Sequence, residues 1–409
     1  MKIYIALSSI PFRFVVLLRT GLVALLLMVA TMVAAEVQRY EQALKIGDLN
    51  LRVKVPQGYV FEYLTGEMKR PRMLSFMGDR MLVGSRSGEI YQLDPPYRQP
   101  HRLADLDGYP HSVVARDQEI LVARTQGVYR APYRRETTAL DEDDFNLLAA
   151  LPGGGGHNSR TLRIGPDGRL YLSLGIRGNC SDEYLHSSYP PHRQRGGVLV
   201  LNEQAKEHYW EVFASGLRNP VGFGWHPETG VMYASNNGPD HSGYDKPVES
   251  FARLEAGSFH GMPWFQYDGQ KLYRDTCVDS KPPRPQAAVA IPEAYFPARN
   301  APMAVAFVPQ GALGKQFFGD AVVALHGSWG TLPDGSGSGH PATRREPKLV
   351  LVRFEQGHAI KVEDFVTGFQ LTNGRRWARP MGLAFGPDGH LYMSSDSQLQ
   401  GLYRLRRKE

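Results

Sequence analysis

The sequence is poor in features that define several classes of protein. Its 409 residues include only two cysteines, which are far apart and form neither a CxxC nor a CxxCH motif. This argues against a zinc site, a thiol redox centre and covalently bound haem. Lysine and arginine are dispersed among 41 acidic residues, so the net charge of +6 forms no basic stripe for nucleic acid. The 43 glycines have no strict period, which excludes collagen.

The N-terminal hydrophobic run is short for a membrane-spanning helix. Residues 20–35 form an uncharged, mostly apolar stretch of 16 residues, whereas a spanning helix needs roughly 20. The stretch follows a positively charged segment and ends in small residues at Ala35, as a secretory signal peptide does. We therefore predict a signal peptide over residues 1–35. The alternative is that this segment stays uncleaved as an anchor, in which case it would be the expected contact with the membrane. The mature protein is expected to be periplasmic or secreted.

Export bears on the two cysteines. In an oxidising compartment two lone thiols often pair. A Cys180–Cys277 disulfide and two separate buried thiols are both compatible with the sequence.

One pattern occurs six times and is the most informative feature of the chain. Each copy has an apolar strand, a turn rich in glycine and aspartate, and a second apolar strand. The PDG, PETG and MGD segments supply the chemistry of tight turns, and segments such as LYLSLG suit half-buried or buried strands. The copies begin at Met73, Ser112, Arg160, Gly222, Met303 and Met381.

Units of three or four strands cannot bury their own faces, so repeated units stack radially into a propeller. We predict an all-β fold, a single six-bladed β-propeller over residues 36–409 with mostly four-stranded antiparallel blades. The last copy reaches the C-terminus, so a strand from about residues 38–62 should complete its sheet. A short helical turn is the expected exception, at Glu41–Ile46 or Glu249–Leu254.

The chain is longer than six minimal blades require. The surplus lies in three insertions rich in polar residues, glycine and proline, at residues 176–196, 238–300 and 330–347. We expect them to be loops on one face, where propellers place their binding sites.

Two of the stretches that precede repeats carry candidate chemistry. GGGGHNSR holds His157, whose imidazole is mostly neutral at pH 7 and can act as a general base. GLRNPVG holds Arg218, which can bind a carboxylate or quinone oxygen, and Asn219, which offers both a donor and an acceptor. Taken singly, each stretch is more often a structural loop or a strand entry.

A third stretch, SNNGPD, offers oxygen ligands at close spacing. The side chain of Asn237 and the carbonyls of Gly238 and Pro239 are of the kind that Ca²⁺ prefers. An ordinary Asn-Gly-Pro turn is the simpler interpretation of this stretch alone.

The ordered set of stretches resembles the soluble quinoprotein glucose/sorbosone dehydrogenase family, and its sorbosone dehydrogenase branch most. The stretches are GGGGHNSRTLRIGPDGRLYLSLG, FASGLRNPVGFGWHPETGVMYASNNGPD, LEAGSFHGMPW, VALHGSW and WARPMGLAFGPDGHLYMSSD. Together they cover roughly residues 60–405.

The resemblance implies a six-bladed propeller that holds pyrroloquinoline quinone (PQQ) over its central channel beside a Ca²⁺ ion. It implies that His157 takes a proton from the sugar hydroxyl while hydride passes to the quinone. It further implies that Arg218 stabilises the reduced quinone's oxygen and that Asn219 contacts the cofactor.

The remaining implied contacts complete the site. Arg160, Asn237 and Arg379 are expected to contact the cofactor, and the carbonyls of Gly238 and Pro239 are expected to bind the calcium ion. The substrate implied is an aldose or a sorbosone-like sugar. Because the chain has no haem motif, electrons should leave to a separate acceptor, a quinone pool or a cytochrome.

The sequence departs from the family pattern in two places. An acidic segment after the NGPD loop is replaced by KPVESFARL, in which Glu249 alone keeps a carboxylate. A family lysine that binds the cofactor has no definite match among Arg344, Arg345 and Lys348.

Two other functions fit the same fold. A calcium-dependent lactonase-type hydrolase would need a channel rich in carboxylates, and a non-catalytic exported propeller would bind a partner or glycan without any redox cofactor.

Overall fold

Antiparallel strands account for most of the regular structure in this computed structural model, which describes residues 36–328 and 344–409. Arg39–Glu409 forms one compact unit. The predicted signal peptide, residues 1–35, lies outside the described residues. Within the described ranges, no helix combines the length and apolar character needed to cross a membrane.

The first strands precede the blades. Strands β1 (Arg39–Ile46) and β2 (Leu49–Pro56) form an antiparallel hairpin in which Arg39 lies opposite Pro56. Strand β3 (Tyr59–Thr65) follows.

The first three blades are consecutive antiparallel sheets. The first consists of β4 (Pro71–Met77), β5 (Arg80–Ser85), β6 (Glu89–Leu93) and β7 (His101–Asp105). The second consists of β8 (Ser112–Arg116), β9 (Glu119–Arg124), β10 (Gly127–Pro132) and β11 (Asn146–Ala150). The third consists of β12 (Leu162–Ile164), β13 (Leu170–Leu174), β14 (Gly197–Asn202) and β15 (Tyr209–Ser215).

The fourth blade contains the largest insertion. It begins with β16 (Phe223–Trp225), β17 (Met232–Asn236) and β18 (Glu249–Leu254). Then β19 (Ser258–Phe259) adds in parallel to β15 of the third blade, and β20 (Phe265–Tyr267) pairs with β21 (Leu272–Arg274). Strand β22 (Ala294–Phe296) returns to pair with β18.

The last two blades complete the ring. The fifth consists of β23 (Pro302–Phe307), β24 (Ala321–Leu325), β25 (Lys348–Glu355) and β26 (His358–Val366). The sixth consists of β27 (Pro380–Phe385), β28 (Leu391–Ser395), β29 (Gly401–Arg407) and β3. Short 3₁₀ turns lie at Glu142–Asp144, Pro191–Arg193, Gln286–Ala288 and Lys315–Phe317.

These sheets confirm the predicted all-β, six-bladed propeller and the mainly four-stranded blades. The sixth blade joins the two ends of the unit, because β29 pairs antiparallel with β3 and Leu405 lies opposite Phe61. The expected N-terminal strand is therefore present, but it is β3 alone, since residues 39–56 form a separate hairpin.

Two local predictions were wrong. Glu41–Ile46 lies within β1, and Glu249–Leu254 is β18, so neither forms a helical turn. In β18, Glu249 and Phe251 are buried and Phe251 pairs with Ser235 of β17, which makes this segment a central strand of its blade. Residues 238–300 are for the same reason not a single loop.

The repeated PDG turns have a specific chemical basis. The Oδ1 atoms of Asp167 and Asp388 accept backbone N–H bonds at 3.1 Å from the residues two positions later. Their Oδ2 atoms accept hydrogen bonds from the hydroxyls of Tyr171 and Tyr392, at 2.9 and 2.6 Å. Gly168 follows with φ of +78°, a conformation that glycine adopts without steric cost. The motif PDGxLY therefore specifies both the turn and the tyrosine beside it.

Neighbouring blades share an apolar core. Leu82 and Ile90 of the first blade cluster with Ile120 and Val122 of the second. The inner strands adjoin one another, since β4 contacts both β8 and β27, and β23 contacts both β16 and β27. The first residues of these inner strands thus converge at one end of the central axis.

Candidate active site

A cavity of about 770 Å³ lies where the inner strands begin. Each of the six inner strands contributes at or just before its first residues, so the cavity is at one end of the propeller channel. The contributing residues include Arg72, Tyr109, Ser159, Val221, Ala301 and Met381. Of the residues predicted from sequence, six line it: His157, Arg218, Asn219, Asn237, Gly238 and Arg379.

His157 is held in one tautomer. Its Nδ1 lies 2.6 Å from the carbonyl oxygen of Ile176. Because that oxygen can only accept, Nδ1 carries the proton and Nε2 keeps its lone pair. Burial, and secondly the charge of Arg218, lower the pKa of His157 to about 4. The imidazole is therefore neutral at pH 7 and can accept a proton at Nε2.

The glycine run before His157 allows a close backbone approach. Gly155 has φ of +90°, and a Cβ at this position would lie 2.6 Å from the side chain of Arg177. The N–H of Gly156 donates to the Arg177 carbonyl at 2.7 Å. The glycines thus pack the loop against the chain after β13.

Arg160 does not line the cavity. It is fully buried, and its Nη1 donates to the carbonyls of His157 and Ser159, both at 2.8 Å. Burial, together with the nearby charge of Arg195, lowers the pKa of Arg160 to about 9. In this structure the Arg160 side chain holds the backbone of the loop that carries His157.

Arg218 is buried at the cavity wall, where neutral oxygens accept its hydrogen bonds. Its Nε and Nη2 donate to the backbone oxygen and Oδ1 of Asn179, at 2.6 and 2.9 Å. Its Nη1 donates to the carbonyl of Asn237 at 3.3 Å. The same Oδ1 of Asn179 accepts the N–H of Asp240 at 2.8 Å. Asn179, which the sequence did not single out, therefore joins Arg218 to the following loop.

The two cysteines form a disulfide beside Asn179. Cys180 and Cys277 are bonded, with their Cα atoms 6.1 Å apart, so the pairing that the sequence left open is realised. The Oδ1 of Asp275 accepts the N–H of Cys277 at 3.0 Å and lies 2.9 Å from the Nε2 of His241. The disulfide thus ties the insertion after β13 to the insertion after β17.

Asn219 and Asn237 form one buried unit. The Nδ2 of Asn237 donates to the carbonyls of Asn219 and Pro302, at 3.0 and 2.9 Å. The N–H of Asn219 donates to the Oδ1 of Asn236 at 2.9 Å. A Cβ at Gly175 would lie 2.6 Å from the Oδ1 of Asn219. The glycine that ends LYLSLG therefore leaves the space that this unit fills.

Glu249, the carboxylate retained in the insertion, faces the same cavity. Its Oε2 accepts the N–H of Gly238. Burial raises the pKa of Glu249 to about 7, against the opposing effects of the Gly238 N–H and the charges of Arg218 and Arg299. This carboxyl is therefore less acidic than that of an ordinary glutamate.

A second group of charges includes Arg72, His326 and Arg379, which line the cavity. The carboxylate of Asp396 is 3.0 Å from Nη2 of Arg72 and 2.8 Å from Nε2 of His326. Burial opposes ionisation of Asp396, but His326, Arg72 and Arg379 together hold its pKa well below the ordinary value. Arg379 donates to the carbonyls of His326 and Gly327, at 2.9 and 2.8 Å.

The sequence model of the family described as Glucose / Sorbosone dehydrogenase matches residues 111–328, more than half of the chain. The chain belongs to this family. It is accordingly a sugar dehydrogenase, and family membership supports a quinoprotein sugar oxidoreductase.

Two curated proteins are similar in sequence to this chain. An uncharacterised protein of Borreliella burgdorferi is 23% identical over 363 residues, which cover 85% of this chain and 89% of the relative. Quinoprotein glucose dehydrogenase B of Acinetobacter calcoaceticus is 29% identical over 136 residues, 28% of each chain.

Solved structures share the propeller fold. The holo form of the PQQ domain of Coprinopsis cinerea pyranose dehydrogenase aligns with a TM-score of 0.68 at 18% identity, covering 87% of this chain and 97% of that one. A calcium structure of the Trichoderma reesei family AA12 enzyme aligns with a TM-score of 0.72 at 16% identity, covering 92% and 100%. The apo form of the soluble aldose sugar dehydrogenase of Escherichia coli aligns with a TM-score of 0.59 at 17% identity, covering 86% and 100%.

The residues expected to bind calcium in this family have a competitor here. Pro239 is not part of the cavity lining, and its carbonyl accepts a hydrogen bond from Nη1 of Arg299. Arg299 is 6% exposed and does line the cavity. Two unit charges 4 Å apart repel by about 4 kcal/mol at an effective dielectric of 20, and a divalent ion doubles this. One of the two predicted calcium ligands, the carbonyl of Pro239, is thus already bound by a buried cation in this structure.

Residue-by-residue reasoning missed the roles of Asn179, Arg299, His326 and Asp396. His326 and Asp396 lie in stretches that carry the family resemblance, VALHGSW and LYMSSD, so that signal could have identified them. Asn179 and Arg299 lie in insertions, where no motif marked them.

Proposed function

We propose that this family member oxidises an aldose or a sorbosone-like sugar, with PQQ as hydride acceptor and His157 as general base. The observation that carries the proposal is a neutral imidazole with a free Nε2 in an arginine-rich cavity that also contains Arg218. Under this proposal the product of an aldose is its lactone, and the sugar loses one hydride and one proton.

The cavity suits a flat polyanion in size and charge. Its volume of about 770 Å³ is within the range of cofactor pockets. Among the described residues, five guanidinium groups line it, against two carboxyl groups, those of Asp240 and Glu249. PQQ is a tricarboxylate and offsets this excess of positive charge. The arginines are Arg72, Arg86, Arg218, Arg299 and Arg379.

Four predicted residues would hold the quinone. Arg218 and Arg379 would contact its oxygens, and Asn219 and Asn237 would border it. When bound, the quinone supplies the two-electron acceptor for the reaction. Arg160 contributes indirectly, by holding the loop that carries His157.

The base step follows from the orientation of His157. Because Nδ1–H is donated to the carbonyl of Ile176, Nε2 is the atom that takes the proton of the sugar hydroxyl. The carbon that bears this hydroxyl loses its hydrogen as hydride in the same step. Positioned general bases contribute roughly 10²–10⁴ in rate. The charge of Arg218, which favours neutral imidazole, would also stabilise negative charge on the oxygens of a bound quinone.

Calcium is the least supported part of the predicted cofactor set. The carbonyl of Pro239 is bound by Arg299, so no step of the proposed mechanism depends on a metal ion. Export and a separate electron acceptor remain parts of the proposal that rest on sequence.

A reconstitution experiment tests the proposal. Purified protein is titrated with PQQ, the quinone absorbance is recorded, and aldoses are added with an artificial dye as final acceptor. Wild-type protein should bind the quinone and reduce the dye. His157→Ala should keep quinone binding and lose turnover, while the exposed His186→Ala serves as a matched control. Full turnover by His157→Ala would remove this imidazole from the mechanism.

The same experiment separates the alternatives. Hydrolysis of a lactone without quinone would favour the lactonase-type enzyme. The described part of the cavity lining, with two carboxyl groups against five arginines, argues against that enzyme. Absence of both quinone binding and hydrolysis would leave a binding propeller.

A further inference from the structure

The guanidinium of Arg299 binds one of the two carbonyls to which the resemblance assigns calcium, that of Pro239. Its Nη1 donates to the carbonyl of Pro239 and approaches Oδ1 of Asp240 at 3.3 Å. Its Nη2 donates to the carbonyl of Gly243 and, at 2.9 Å, to that of Lys246. One buried cation therefore collects four oxygen atoms from a single loop.

The oxygen atoms around this guanidinium are already engaged. A calcium site needs six to eight oxygen ligands. Glu249 accepts the N–H groups of Gly238 and, at 3.5 Å, Ala301. The carbonyl of Pro239 is bound by Arg299. A metal ion would have to displace these hydrogen bonds and move the guanidinium away.

The backbone holds Arg299 in this position. Its φ is +71° and that of Ala301 is +52°, a region that non-glycine residues occupy rarely and that often marks a functional constraint. Ala301 lies directly before β23, at the rim of the cavity. The start of the fifth blade thus fixes the direction from which the side chain enters.

Arg299 also interacts electrostatically with other charged groups that line the cavity. Its charge acts on both Arg218 and Glu249, and Glu249 and Asp240 in turn favour the charged form of Arg218. The four groups form one mixed cluster of two cations and two carboxyls. The two carboxyls of this cluster already have two guanidinium groups as partners, and a divalent ion would compete with them.

We propose that Arg299 is a built-in cation that replaces calcium at the quinone site, so that the protein binds and uses the quinone without a metal ion there. The inference rests on the proposed function and sharpens it. The fixed charge of Arg299 stabilises negative charge on a bound quinone, as a metal ion does at such a site. Unlike a metal ion, it is not removed by a chelator.

The first test uses wild-type protein dialysed against a chelator. Calcium binding is measured by calorimetry with and without PQQ, and quinone affinity is measured by absorbance. The expected result is no quinone-dependent calcium binding and unchanged quinone affinity after chelation. Calcium bound stoichiometrically with the quinone, or quinone affinity lost on chelation, would overturn the inference.

The second test removes the charge. Arg299→Gln should weaken quinone binding, and added Ca²⁺ should restore it. The variant should bind calcium at least about 100-fold more tightly than wild type does, because the substitution removes a unit charge that repels the ion. Arg299→Lys keeps the charge and should remain calcium-independent. Identical calcium affinities in wild type and Arg299→Gln would contradict the proposal. If the glutamine variant does not fold, the wild-type titration and the lysine variant decide.

Arg345→Gln is the matched control. Arg345 binds the same loop through the carbonyl of Tyr244 at 3.4 Å and the carboxylate of Asp245 at 2.7 Å, but it lies outside the cavity lining. It should therefore change loop stability without creating a calcium requirement. If wild type binds calcium and no quinone, both the inference and the redox proposal fail. If it binds quinone together with calcium, only the inference fails.

Discussion

Asn179 provides the sharpest test of how the cavity is organised. It is an exposed residue in the insertion after β13, yet its Oδ1 accepts Nη2 of Arg218 at 2.9 Å and the N–H of Asp240 at 2.8 Å. Asn179→Ala removes this acceptor and leaves the backbone carbonyl that accepts Nε of Arg218. Arg218 should then keep its bonds to the carbonyls of Asn179 and Asn237 but be held less firmly in its present orientation.

The size of the effect follows from the bond that is lost. Hydrogen bonds to charged groups contribute about 1.5–3 kcal/mol, and exposure of Asn179 favours the lower limit. About 1.5 kcal/mol corresponds to roughly a tenfold decrease in kcat/KM. A second consequence has a definite sign. The charge of Arg218 lowers the pKa of His157, so its displacement should raise that pKa, and the acid limb of the pH profile should move to higher pH.

The assay is dye-coupled sugar oxidation by quinone-loaded protein, measured across pH. Asn179→Asp is the control, because it keeps an acceptor for Arg218 and should preserve most of kcat/KM. Circular dichroism checks that the alanine variant is folded. An alanine variant with the wild-type rate and an unmoved acid limb would show that Asn179 does not position Arg218.

Three further outcomes follow from the structure. In wild-type protein, kcat/KM should fall about tenfold per pH unit below about 4, where His157 becomes protonated and can no longer accept a proton. Because the pKa of Glu249 is raised to about 7, the same profile is also measured for Glu249→Gln. A limb near pH 6.5 in that variant would mean that His157 is not the base or is not buried as described. Gly175→Ala should lower activity by at least about tenfold, because a Cβ there would lie 2.8 Å from the Cβ of His157. Gly178→Ala should leave the activity nearly unchanged, since the closest neighbour of a Cβ there is 3.7 Å away. Equal rates for the two variants would contradict the packing argument. Replacing Cys180 and Cys277 by serine should lower the free energy of unfolding by about 2–4 kcal/mol, because the disulfide links residues 97 positions apart. The change is measured by denaturant titration at equal pH. An unchanged unfolding midpoint would show that the disulfide does not stabilise the fold.

Much of the fold could be predicted from local chemistry. The turn in PDGxLY is made by residues within four positions of one another, such as Asp167 and Tyr171. Such signals repeat in each blade and are readable without tertiary information. The predicted helical turn at Glu249–Leu254 failed because the segment becomes a central strand only when β17 and β22 pair with it.

The sequence by itself determined the blades, their order and the motif residues His157, Arg218 and Asn219, because strand alternation, turn chemistry and an ordered motif set are all local or linear features. Tertiary structure decided what surrounds those residues. Arg299 reaches a carbonyl 60 positions away, and Arg72 donates to the sulfur of Met381, 309 positions away. Contacts of this kind are set by the radial packing of blades, which brings the starts of six distant strands to one end of the channel. No short-range sequence pattern specifies which of these side chains contact one another.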